Sequence, residues 1–220
     1  MNVPDVHTHR PVPPGATAIR SLEPGEVLAP AHGYFSAGIH PWRIPEAWEE
    51  VMESLAVTAA DPRCLAIGEC GLDKARLKAL PSGQRPAALD LQTAVFEAHI
   101  RLSETLGKPL VIHGVRAWGE LIALRKRHKP RRAWLLHGFR GSPDAARALL
   151  EAGFHLSFGE HYRADALRTV PAGRLFAETD ESALPIGLIA ENLARDRGDD
   201  PDELARILTA NFRRVFFREP

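Results

Sequence analysis

The chain has 220 residues, 45% of them hydrophobic, enough for one sizeable core, and no linker-like stretch divides it, so residues 1–220 read as a single domain. Its 28 Lys and Arg balance 28 Asp and Glu, which excludes a global field that attracts polyanions or anionic membranes; any nucleic acid has to be held locally. Cys64 and Cys70 are too few for a disulfide framework, the N-terminus lacks the basic and apolar regions of a signal peptide, and no apolar run approaches the roughly 18 residues of a membrane span; these features read as a cytoplasmic chain.

Short β-like runs alternate with longer helix-like runs throughout, the pattern of βα units around a parallel sheet. The first predicted strand, 3–7, is followed after only eight residues, 8–15, by the second, 16–21. Pro11, Pro13 and Pro14 fall between them, so no crossover helix fits there. Strands at 33–39 and 64–69 come next. A helix over 86–106 follows, with Leu91, Val95, Ala98, Leu102 and Leu106 at spacings of four and three, and Gly107 stops it before Pro109. A strand at 109–113 leads to a helix that ends in the basic run RKRHKPRR, 125–132. That run complements a helix C-terminus at the barrel face away from the strand ends, and reads as a solvated face, not a nucleic-acid patch. Strand 133–137 follows, then a Ser142-Pro143-Asp144 helix start, a stop before Gly153, strands at 154–158 and 174–179, and a final helix opened by Pro201. Eight strands in this order predict an α/β fold: an irregular, compact TIM-like (β/α) barrel with an abbreviated first βα unit.

The chemistry-bearing residues fall at or just beyond predicted strand ends: His7, Glu69, His113, His137 and Asp180. In a parallel barrel those ends converge on one face, where the active sites of such barrels form. His7 and His9 form an HxH pair whose alternation points both rings to one side. Any one of these histidines alone reads as an ordinary hydrogen-bonded residue. Together, four imidazoles and two carboxylates are enough donors for two divalent metals. His99 and His128 fall inside or at the end of helices and receive no role.

The runs DVHTH (5–9), GIHPW (38–42), AIGECGLD (66–73), PLVIH (109–113), HGFRGS (137–142), LSFGE (156–160) and ETD (178–180) resemble the TatD hydrolases in the same order, over nearly the whole chain. The AIGECGLD and ETD segments are specific, while an isolated HxH is weak. The resemblance implies a metal-dependent hydrolase of ester bonds, a deoxyribonuclease in type. One metal would sit on His7, His9 and Asp180 and the other on His113 and His137, with Glu69 bridging. Asp180 doubles as general base toward a water activated by the metal pair, and DNA ends or single strands are the expected substrate. His40 matches a family histidine near the substrate, expected to contact phosphate, and Arg140 sits in a loop where its planar fork can grip a phosphate. Glu178 is left open between a hydrogen bond to a ligand and a structural ion pair. Four imidazoles favour Zn, Mn, Ni or Fe over Mg by ligand preference without fixing the metal, and no obligatory protein partner is indicated.

The sequence departs from the family in carrying Arg116 one position late after His113, and in following Asp180 with Glu181, Ser182 and Ala183. A PHP-type phosphoesterase also opens on HxH, but those proteins end on Asp-x-His, which the run after Glu178 lacks. A lactonase or amidohydrolase on the same centre is a further alternative, because fold and metals do not select phosphorus over carbon. A non-catalytic metal-binding scaffold is the non-enzymatic one; intact candidates at all six ligand positions argue against it.

Overall fold

The computed structural model describes residues 3–26 and 33–217. All eight predicted strands are present: β1 Asp5–Thr8, β2 Ala18–Leu22, β3 Tyr34–Ala37, β4 Cys64–Asp73, β5 Leu110–Val115, β6 Trp134–Leu136, β7 His155–Phe158 and β8 Leu175–Ala177. They lie in sequence order in one parallel sheet, and a parallel bridge between Thr8 and Asp180 joins its two edges into a barrel. The outer helices are α1 Trp48–Ala59, α2 Lys74–Leu77, α3 Arg85–Leu106, α4 Trp118–His128, α5 Pro143–Glu151, α6 Ala164–Leu167, α7 Ile186–Arg197 and α8 Pro201–Phe212. No helix of the described residues is long and apolar enough to cross a membrane.

The short proline-rich segment after β1 carries no helix, as expected; residues 23–26 and 33, between β2 and β3, carry none either. Helix starts follow the local chemistry: Ser142 accepts from the Ala145 amide at 3.2 Å, Asp200 from the Glu203 amide at 2.9 Å, and a proline occupies the first turn of both helices. Gly107, at φ 67°, ends α3 in the left-handed conformation.

The predicted stripe on α3 is rotated from the observed one. Leu91 is largely exposed, and the buried face runs through Gln92, Val95, Phe96, His99, Ile100 and Ser103. Two polar residues occupy that face because each finds partners across it. Gln92 accepts from the Asp73 amide at 2.9 Å and donates to the Pro41 carbonyl at 3.2 Å. His99 accepts at Nε2 from the Ile39 amide at 2.9 Å, which puts its proton on Nδ1, donating to the Val95 carbonyl at 2.8 Å. Helix α3 thus pins the loop after β3 and the end of β4 to the barrel wall.

His99 is neutral in the fold, its pKa pulled down from 6.5 to about 4 by burial. The unfolded chain binds the proton more readily, so this contribution is complete above pH 6.5 and is lost as pH falls from there toward 4. Between pH 7 and pH 5 the native chain is expected to lose about 2 kcal/mol more unfolding free energy than His99→Gln. Urea unfolding of both at the two pH values measures the difference, and parallel losses would exclude it.

Inside the barrel a lower apolar layer contains Val6, Ile19, Leu65, Val111, Leu135 and Phe176, closed from below by Phe212 and Phe216. Side chains alternate along a strand, so the residues two positions beyond Val111, Leu135 and Phe176 share their inward face. Those residues are His113, His137 and Glu178, and they stand directly above a packed floor. The basic run that ends α4 is bound into the scaffold. Arg125 donates to the Ala152 carbonyl and lies over the Trp134 and Phe154 rings, Arg127 and His128 pair with Glu97, and Arg131 pairs with Glu104.

Candidate metal centre

Glu69 is carried into the barrel mouth by an irregularity in β4. Between the pairs Ile67–Leu110 and Cys70–Ile112, β4 advances three residues while β5 advances two, so the extra residue bends the strand inward. The flanking glycines permit it. Gly68 has φ 136° and Gly71 φ 144°, and a Cβ on either would stand 2.2 Å from the Val111 carbonyl oxygen or 2.1 Å from that of His113.

Five imidazoles surround the Glu69 carboxylate, divided between its two oxygens. Oε2 faces His7 Nε2 at 3.4 Å and His9 Nε2 at 3.3 Å. Oε1 faces His137 Nε2 at 2.8 Å, His113 Nδ1 at 2.9 Å and His40 Nε2 at 3.1 Å. Asp180 completes the first side, its Oδ1 lying 3.7 Å from His7 Nε2 and 3.6 Å from His9 Nε2. The Asp180 backbone, at φ 53°, is held by its amide to the His7 carbonyl at 2.9 Å, and its carbonyl accepts from the His9 amide at 3.1 Å. The barrel seam and the site are therefore the same structure.

The proton positions follow from the outer partners. The Trp42 amide donates to His40 Nδ1 at 3.0 Å, so neutral His40 carries its proton on Nε2 and is a donor toward Glu69. His113 is the opposite case. Its Nε2 points at Asp73 Oδ2, 3.0 Å away, an acceptor that takes the proton there and leaves the Nδ1 lone pair facing Glu69. His137 Nδ1 lies 3.5 Å from Glu178 Oε1, which leaves Nε2 facing the pocket. Glu178 is fully buried and also accepts from Ser157 Oγ at 2.6 Å and the Gly138 amide at 2.5 Å. Of the two readings left open for Glu178, the contact with His137 is at ion-pair distance, and its hydrogen bonds go to Ser157 and Gly138. Asp73 and Asp5 were not singled out in the sequence. Asp73 accepts from the Trp42 indole at 2.8 Å as well as from His113, and Asp5 accepts from the Thr179 amide, the Thr179 hydroxyl and the His7 amide, tying β1 to β8.

Burial alone would raise the Glu69 carboxyl, but the imidazoles, His137 foremost, outweigh it and hold the group well below the usual carboxylate range. Burial likewise disfavours charge on His137, and the carboxylates of Glu69 and Glu178 overcome it, so its pKa stands well above the ordinary imidazole value. Asp73 is held down to about 2: burial opposes ionisation, and the hydrogen bonds from His113, the Arg76 amide and Trp42 win. On His7 burial, with the neighbouring His137, outweighs the carboxylates of Glu69 and Glu178 and lowers the pKa.

The donors fit a metal by their own geometry. His7 Nε2 and Glu69 Oε2 are buried, lack hydrogen-bond partners and face each other. Three sets of donor atoms lie within 4.8 Å of one another: His7, His9 and Glu69; His7, His137 and Asp180; and His40, Glu69 and His113. A cation at Glu69 Oε2 satisfies lone pairs that the protein leaves unmet. Arg140 stands apart from this cluster, exposed in the loop after β6 on a cavity of about 320 Å³ that Asp180 also lines.

A parallel eight-stranded barrel with imidazoles and carboxylates gathered at the strand C-termini has the architecture of a metal-dependent barrel hydrolase. The family described as TatD related DNase matches residues 18–217, and the chain belongs to it. That match begins after β1, so His7 and His9 rest on the geometry above. The uncharacterized metal-dependent hydrolase YcfH of Escherichia coli (strain K12) is 30% identical over 204 residues, covering 83% of this chain and 73% of that protein. The 3'-5' ssDNA/RNA exonuclease TatD of Edwardsiella piscicida is 31% identical over 213 residues, covering 82% of this chain and 76% of its own. The crystal structure of YJJV, a TatD homologue from Escherichia coli K12, matches the fold with a TM-score of 0.81 at 21% identity, over 100% of this chain and 99% of the other.

Proposed function

We propose that the chain is a phosphodiesterase acting on the ends of single-stranded nucleic acid, with two divalent cations held at the barrel mouth. The division of the Glu69 oxygens carries this reading: Oε2 faces His7 and His9, Oε1 faces His113 and His137, and one carboxylate therefore serves two cation positions. His7, His9 and Asp180 would hold the first cation and His113 and His137 the second, with Glu69 shared between them. Such a pair supplies Lewis acidity to a phosphate oxygen and a nucleophilic water at neutral pH.

The protein's own groups do the rest. Asp180, fixed by both of its backbone hydrogen bonds, accepts the proton of the attacking water. His40 keeps its proton on Nε2 because the Trp42 amide occupies Nδ1, so it donates to a phosphate oxygen and does not ligate through that atom. Arg140, at the cavity beside Asp180, meets a phosphate of the substrate with its planar fork. The names of relatives such as TatD of Edwardsiella piscicida support the choice of nucleic acid.

The test is hydrolysis of an end-labelled single-stranded DNA oligonucleotide with Mn, Mg or Zn added, comparing the native chain with Asp180→Asn. Stepwise shortening is expected in the native chain, reduced about 100-fold or more in the variant while metal is retained. No cleavage with any metal would sink the nuclease reading and redirect the search to small phosphoesters and lactones.

A further inference from the structure

Trp42 is the feature the mechanism does not use. It is 51% exposed, the most exposed aromatic side chain among the large hydrophobics of the described residues, yet it stands beside the buried His40 and Asp73. It is also held firmly. Its indole Nε1 donates to Asp73 Oδ2 at 2.8 Å, the same oxygen that receives His113 Nε2, and its amide donates to His40 Nδ1. Its ring centroid lies 4.9 Å from that of His40 and 5.5 Å from that of His113, both nearly edge to face. An exposed indole fixed at three points gains nothing from burial, so the hydrophobic effect does not account for its placement.

Arg76, in the short helix α2, lies over this indole with its guanidinium carbon 5.3 Å from the ring centroid. Its side chain is exposed, and no carboxylate pairs with it among the described residues. An indole that bases can stack on, next to a guanidinium free to meet phosphate, is the pairing from which sequence-tolerant single-strand sites are built. The position is apt as well. Trp42 borders His40 and His113, so a phosphodiester at those imidazoles leaves its adjoining base beside the indole.

We propose that Trp42 and Arg76 form a subsite for the nucleotide next to the scissile phosphodiester, with the base stacked on the indole and the following phosphate met by the guanidinium. The inference rests on the nuclease reading above and adds to it the surface that recognises the base. Stacking at such a platform is sequence-tolerant, so the site reads the presence of a base and not its identity.

The experiment compares kcat/KM on two single-stranded oligonucleotides of equal length, one with all its bases and one with abasic residues at the scissile end, in the native chain, Trp42→Phe and Trp42→Leu. Loss of the bond to Asp73 affects both substrates alike and cancels in their ratio. The preference for the base-bearing strand is expected to fall about tenfold in Trp42→Leu and to stay within about threefold of native in Trp42→Phe, which keeps a ring. An unchanged preference in Trp42→Leu, with native hydrolysis intact, overturns the subsite and leaves the nuclease reading standing. Failure of the native chain to cut either strand overturns both. As a second readout, the oligonucleotide is expected to quench indole fluorescence in Asp180→Asn and to quench it less in the Asp180→Asn, Trp42→Phe double variant; equal quenching counts against the subsite.

Discussion

Glu69→Gln is expected to lower metal content from two ions per chain to one or fewer and to reduce hydrolysis at least about 1000-fold. The amide is nearly isosteric, so shape is not what is lost. Both Glu69 oxygens present lone pairs in the native chain, one facing His7 and His9 and the other facing His40, His113 and His137 at distances between 2.8 and 3.4 Å. An amide turns one of those acceptors into an N–H₂ donor, which points protons at imidazole lone pairs or at a cation. The charge is lost too, and with it the anion proposed to be shared between two cation positions. Metal analysis after gel filtration, alongside rate measurement and a circular dichroism spectrum, separates this from misfolding. A folded variant with two ions and native rate would dismiss Glu69 as the bridge. Asp180→Asn is the informative partner, because its loss of rate is expected with metal in place.

The residues that touch the pocket were legible in the sequence for a simple reason. His7, His113 and His137 each end or follow a short apolar run, and the β-rich runs were distinct enough to place all eight strands, so topology alone brought the set together. What was not legible depends on register and on partners far apart in sequence. Asp73 was not singled out in the sequence, and it starts a helix, accepting from the Arg76 amide at 2.8 Å. That its other oxygen orients His113 follows from the pairing of Asp73 with Val115 across β4 and β5, which no local pattern encodes. The α3 face was misjudged for a related cause: apolar periodicity favoured Leu91, whereas Gln92 and His99 are buried because polar atoms of distant loops meet them. His40 shows the limit from the other side. Its place near the substrate was implied by the GIHPW run, but the proton position that makes it a donor came only from the Trp42 amide.

Gly71→Ala is expected to abolish soluble folded protein, although it adds one methyl group to a residue that touches neither metal nor substrate. Gly71 pairs with His113 across β4 and β5, and its φ of 144° lies where an L side chain is strained. The new Cβ would stand 2.1 Å from the His113 carbonyl oxygen and 3.0 Å from its carbonyl carbon, so the neighbour that must yield is the backbone of β5, against a β4 that is buried along its whole length. Relief requires β4 and β5 to part where the barrel is closed, which costs about 4 kcal/mol or more and consumes much of the roughly 5–15 kcal/mol by which a domain is stable. Gly119→Ala is the control. It lies in the first turn of α4, where a Cβ meets nothing within 4 Å, and alanine there is expected to stabilise by about 0.5–1 kcal/mol. Soluble yield and thermal melting of the two variants decide the matter. A soluble Gly71→Ala chain with native melting temperature would show that β4 can move away from His113, and would remove the argument that this glycine is what lets the strand bend and carry Glu69 into the mouth of the barrel.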